Sequence, residues 1–137
     1  MEFNGKFDKS WITGQLDKPA IEFAEKFGEY LCDLQADKRP GRMALTTSQI
    51  RNFFGEIKRI QGRGYDDERT AFLLIRPKLA YAEARILAKN NKTRMSDFRS
   101  VVEQAHTAVS EAKHFKNFVD MLEAILAYHK AFGGKDS

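Results

Sequence analysis

TTSQIRNFFGEIKRIQGRG, residues 46–64, decides the fold. Ile50, Phe53, Phe54, Ile57 and Ile60 recur at the three- and four-residue spacing that lines one face of an α-helix. Thr46 and Gln49 have the spacing of a capping box, in which each side chain satisfies a backbone N–H left free at the helix start, and Leu45 is placed to staple onto Ile50. Gly62 and Gly64 end the pattern. One residue does not fit. Gly55 sits opposite the apolar stripe, and a glycine inside a helix costs about 1 kcal/mol relative to alanine. On a helical wheel Arg51, Lys58 and Arg59 surround it.

The same period continues outward. Upstream it runs from Pro19 to Gln35, with Pro19 at the first helical position and Phe23, Phe27, Leu31 and Leu34 on the buried stripe. A basic connector, DKRPGRM (37–43), carries a Pro-Gly turn. Residues 1–16 show no clear period, and Phe3, Phe7, Trp11 and Ile12 are expected to anchor this segment on the core. Downstream, GRGYDDER (62–69) reads as a polar loop. Thr70–Asn90 is apolar nearly all round, so that helix is either central to its bundle or laid against a partner. Pro77 kinks it or starts its second half. After the break KNNKTRM (89–95), Ser96 is expected to cap a helix built on Phe98, Val101, Val102, Ala105 and Val109. The last helix, Lys113–Phe132, buries Phe115, Phe118, Leu122, Ile125 and Leu126 and stops at Gly133-Gly134. No strict two-residue alternation occurs. The pattern predicts an all-α, single-domain helical bundle of about five helices spanning residues 1–137.

Composition sets outer bounds. With 42% apolar and 31% charged residues the chain has the balance of a folded soluble domain rather than a disordered or membrane-spanning one. Cys32 is the only cysteine, which rules out an internal disulfide and suits a reducing compartment. The N-terminus, MEFNGKFDKSWITG, has no apolar stretch of the signal-peptide kind. The longest apolar runs, Ala71–Ile75 and Ala124–Tyr128, are far too short to cross a bilayer. A cytoplasmic protein without membrane contact is expected.

Catalytic signatures are missing. His106, His114 and His129 have neither HExxH spacing nor cysteine partners, and His129 lies on the apolar side of the last helix, as a hydrogen-bonded core residue would. Cys32, between Leu31 and Leu34 and near acidic residues, reads as a buried structural thiol rather than an activated nucleophile. Asp66-Asp67-Glu68 are adjacent and cannot converge on one ion without folding back, so they read as a solvated turn. No glycine-rich phosphate loop appears. The expectation is a protein that is not an enzyme and uses no cofactor or metal.

Charge is where the sequence speaks of function. Residues 38–94 hold 14 Lys/Arg against 5 Asp/Glu, whereas the remainder holds 9 against 14. A basic centre between acidic ends fits an oriented polyanion-binding surface. Around Gly55 the arginine forks can pair bidentately with phosphate, and the missing Cβ would let a phosphodiester approach closely. A second helix packed against Gly55 would explain the glycine equally well. Lys78, Arg85 and Lys89 lie along one side of the next helix with Tyr81 beside them, while Arg76 points elsewhere. Lys38, Arg39, Arg42 and Arg63 add charge from the connectors. A helix-turn-helix reader would use Thr47-Ser48-Gln49-Arg51 for base contacts. Gln49 is engaged by the cap, so backbone binding ranks above that reading, with a helical protein–protein adaptor as the other alternative.

Three blocks sharpen this. LTTSQIRNFFGEIKRIQ (45–61), FLLIRPKLAYAEAR (72–85) and FKNFVDMLEAILAYHKAFGGK (115–135) resemble the small helical subunit of type III-A CRISPR effector complexes, the Csm complexes, and together cover 52 of 137 residues. The resemblance implies a non-catalytic helical subunit. Its copies would associate with one another along the crRNA–target RNA duplex, touching the RNA backbone and the other Csm subunits. The residues it and the charge pattern offer for RNA contact are Arg42, Arg51, Lys58, Arg59, Arg63, Arg76, Lys78 and Arg85.

Overall fold

A computed structural model describes residues 5–37, 39, 41–91 and 93–134, so Phe3 and Lys38 lie outside the described residues. The described chain is helical and contains no β-strand. Its helices are α1 (Ser10–Thr13), α2 (Lys18–Cys32), α3 (Thr47–Arg63), α4 (Arg69–Leu73), α5 (Ile75–Lys89), α6 (Met95–Thr107) and α7 (Ala112–Ala131), with a short 3-10 turn at Tyr65–Asp67. Five of them, α2, α3, α5, α6 and α7, run 13 to 20 residues. These are the predicted bundle helices.

The bundle is organised around α7, against which α1, α2 and α3 all pack. Phe115, Phe118, Leu122 and Ile125 are buried along it as the period requires, and Leu126 is half-buried. Helix α2 comes close against α7 at Gly28. A Cβ there would stand 2.8 Å from the His129 nitrogen and 2.8 Å from Tyr128 Cβ, so only glycine allows this crossing. Phe7, Trp11, Phe23, Phe27 and Tyr30 form a run of ring contacts along α2, with centroids 5.3–6.1 Å apart, which fixes the N-terminal segment on the core.

Several element ends differ from expectation. Helix α2 begins one residue early, with Asp17 as its cap accepting from the Ala20 N–H at 3.1 Å, and Pro19 takes the second position. It also stops at Cys32. Asp33 adopts a left-handed conformation (φ 47°), and its carboxylate accepts from the Met43 N–H (3.0 Å) and pairs with Arg94 (2.8 Å), leaving Leu34 outside the helix. Ser96 does not cap α6. Arg94 is drawn inside by Asp33, by the Tyr30 carbonyl and by the Tyr30 ring 4.0 Å away, so the helix starts at Met95 and Ser96 falls within its first turn. Helix α6 ends at Thr107, which places Val109 beyond it.

The segment from Thr70 to Asn90 is two helices. Pro77 has no N–H to bond the Leu73 carbonyl, and the chain turns at Leu74 before α5 resumes with Pro77 in its first turn. Within α5 only Ile75 and Leu79 are buried. The central position open to this helix is therefore excluded: it lies at the rim against α6 and α3. Leu73, Leu74 and Tyr81 remain 65%, 47% and 66% exposed.

Candidate nucleic-acid interface

Helix α3 has the predicted cap in full. Gln49 N–H donates to Thr46 Oγ1 at 3.1 Å and Thr46 N–H donates to Gln49 Oε1 at 2.8 Å. Ile50, Ile57 and Ile60 are buried and Phe53 and Phe54 half-buried, so the opposite side of the helix faces outward. Gly55 lies on that side, and a Cβ placed there meets nothing within 4 Å. Among the described residues no helix packs against it.

The candidate cations divide into those already paired and those not. Arg59 holds Glu56 in a two-pronged contact (3.2 and 2.8 Å) and approaches Glu68 at 3.6 Å. Lys78 also reaches Glu56 (3.4 Å) and Arg63 reaches Glu68 (3.8 Å). Lys58 pairs with Glu123 of α7 at 2.8 Å, above the Phe54 ring. Arg76 turns toward Glu103 of α6, at the edge of a network in which Arg99 bridges Glu83 and Glu103. Arg42, Arg51 and Arg85 make no ion pair among the described residues. Two of these acids, Glu103 and Glu123, lie outside the basic centre in sequence and return to it only through the fold. Arginine hydrogen bonding, with Lys78, holds the Glu56 carboxyl below its ordinary range. The Lys58–Glu123 pair is exposed on both sides and therefore weak, whereas Glu56, Glu68 and Glu103 are half-buried beneath more exposed cations.

Between α3 and α5 runs a groove of about 620 Å³. Arg42, Lys78, Arg85 and Lys89 stand on it, with Glu56 as the only carboxylate among the described residues that line it. Half-buried Phe53, Ala82 and Ile86 supply its apolar surface, with buried Ile75 and Met95 beneath. The connector reaches this place because Asn90 Nδ2 donates to the Arg42 carbonyl (2.8 Å) and the Arg94 N–H donates to the Met43 carbonyl (2.8 Å). Arg51 and Lys58 do not line the groove. On the wheel they fall on the flank of α3 toward α7, while Asn52, Phe53 and Glu56 face the groove. The basic face thus has two parts joined across the outward crest of α3.

Other chemistry-bearing residues are structural. The carbonyls of Phe72 and Leu45 can only accept, so His106 and His129 each place a proton on Nε2 and donate to them at 2.7 Å. Burial lowers the pKa of both. His106 also stacks on Phe72 with centroids 4.0 Å apart. The Cys32 thiol donates to the His129 carbonyl at 3.0 Å, and burial, helped by Glu29, pushes it up to about 11. Asp66 pairs with Arg69, and Glu68 with Arg59 and Arg63. Among the described residues no group of three His, Cys, Asp or Glu side chains is placed to hold a metal, and no helix is long and apolar enough to cross a membrane.

Fold and surface together define a class: a small all-α module with an open basic groove on one side. The chain belongs to the Csm2 Type III-A family, whose model matches residues 19–135. It is accordingly a small subunit of the type III-A CRISPR Csm complex, from a structural rather than a known catalytic family that associates with other Csm subunits. The match takes in residues 62–71 and 86–114, which lie between the three resembling blocks. No curated protein and no solved structure matches the chain.

Proposed function

We propose that this chain is a non-catalytic subunit that stacks in several copies along the crRNA–target RNA duplex and holds the RNA sugar-phosphate backbone on its basic helical face. One observation carries the reading. Arg42, Lys78, Arg85 and Lys89 come from two segments separated in sequence and line one open groove with a single opposing carboxylate. Phosphate contacts of this kind give affinity and register without reading bases. That suits a subunit whose target sequence is chosen by guide–target pairing. The reading keeps Arg42, Arg51, Lys58, Arg59, Arg63, Arg76, Lys78 and Arg85 as the RNA-contacting set and adds Lys89 from the groove. Arg76 has the weakest support because it faces α6. The cell compartment that fits is the cytoplasm.

Leu73 and Leu74 support a second contact, with protein. They sit exposed at the α4–α5 corner and offer an apolar surface to a neighbouring copy or another Csm subunit. Two double variants test the assignment. Arg85→Ala/Lys89→Ala and Arg51→Ala/Lys58→Ala are each expected to weaken RNA binding by the full chain while its helical content stays unchanged. Wild-type RNA affinity in both would refute the reading, and loss of self-association alone would make the face a protein interface.

A further inference from the structure

We infer that the α3–α5 groove is a seat for one unstacked RNA base, with Tyr81 as its stacking platform. The inference rests on the RNA-backbone reading above and adds a site to it. A phosphate backbone needs cations and no cavity, yet this open groove holds about 620 Å³ beside the half-buried Phe53, Ala82 and Ile86. That volume falls within the roughly 300–1,000 Å³ of small-molecule sites. Its apolar surface calls for an apolar or aromatic occupant, and its four cations against Glu56 call for an anionic one. A nucleotide is both.

Tyr81 sharpens the choice. It lines the groove, is 66% exposed, and has the Arg85 guanidinium 5.8 Å from its ring centroid. An exposed aromatic ring beside an arginine is the arrangement on which single-stranded bases stack, since every base offers a π-face whatever its identity. Asn52 adds a carboxamide to the wall, able to bond a base edge. The flanking phosphates would then lie on Arg42, Lys78, Arg85 and Lys89. A fully paired duplex keeps its bases inside, so the site takes a nucleotide that is bulged, flipped or unpaired. An apolar protein side chain would fill the cavity as well, but would leave the cations on the rim without partners.

The test uses the full chain and two labelled RNA duplexes. One carries a single bulged nucleotide and the other an abasic ribose at the same place. Wild-type protein is expected to prefer the base-bearing bulge by about 5- to 150-fold. Tyr81→Phe should keep that preference, and Tyr81→Ala should bring the two affinities together. A wild-type protein that binds both equally and with strong salt dependence overturns the base seat while leaving backbone binding intact. Failure to bind either RNA overturns both. Should Tyr81→Ala keep the base preference and instead lose association with other Csm subunits, the groove belongs to a protein partner and the inference is wrong.

Discussion

Gly28 and Gly55 are both helix-interior glycines, yet alanine at the two positions should act in opposite directions. At Gly28 the added methyl would stand 2.8 Å from the His129 nitrogen, 2.8 Å from Tyr128 Cβ and 3.0 Å from the Ile125 carbonyl oxygen. None of these atoms is the end of a flexible side chain, so α2 and α7 must move apart. Overpacking of this kind costs about 1–3 kcal/mol. At Gly55 nothing lies within 4 Å, and only the propensity gain of about 1 kcal/mol remains. That gain is common to both variants, so the difference between them isolates the crossing. For a chain of this size 1 kcal/mol moves Tm by about 3–5 °C, which puts Gly28→Ala roughly 3–15 °C below Gly55→Ala. Thermal melts by circular dichroism, backed by urea titration, read this directly. Equal melting temperatures would refute the tight α2–α7 crossing. A destabilised Gly55→Ala would mean that the crest of α3 is not open.

Three further outcomes follow from the same geometry. Replacing Gly55 by leucine should leave the fold intact but impair assembly on RNA, because the crest between the two basic flanks would be blocked; unimpaired assembly would remove Gly55 from the interface. Arg94→Met would leave the buried Asp33 carboxylate without its ion pair and is expected to cost about 3–5 kcal/mol in urea unfolding, and a loss under 1 kcal/mol would refute the role given to the Asp33–Arg94 pair. His106 and His129 have folded pKa values below the ordinary value of about 6.5, so the unfolded chain binds more protons as pH falls. Their contribution is complete above that value and declines below it by up to about 1.4 kcal/mol per pH unit for each histidine. A stability that stays flat between about pH 7.5 and 5.5 would contradict the buried neutral assignment.

Where local rules govern, the sequence was legible. The Thr46–Gln49 box and the α7 stripe stand where spacing put them, because caps and helical periods depend on residues three and four apart. Distant partners were not legible. Nothing near Arg94 announces that Asp33, at the far end of α2, will draw it inside and take the helix start from Ser96. The pairing of Lys58 with Glu123 is equally invisible along the chain, and so the basic centre looked barer of acids than it is. Helix α5 shows a third limit. The Thr70–Asn90 segment is apolar nearly all round, yet the fold leaves Leu73, Leu74 and Tyr81 open, and periodicity alone does not say which apolar positions are buried.

Salt dependence of RNA binding by the full chain tests the central claim most directly. For single-stranded RNA, log affinity should fall linearly with log salt, by about 0.7 for each phosphate engaged. Arg85→Ala/Lys89→Ala should make that slope shallower by about 1.4, two phosphate contacts fewer. An affinity indifferent to salt, or a slope the double variant leaves unchanged, would contradict the assignment of this face to the RNA backbone.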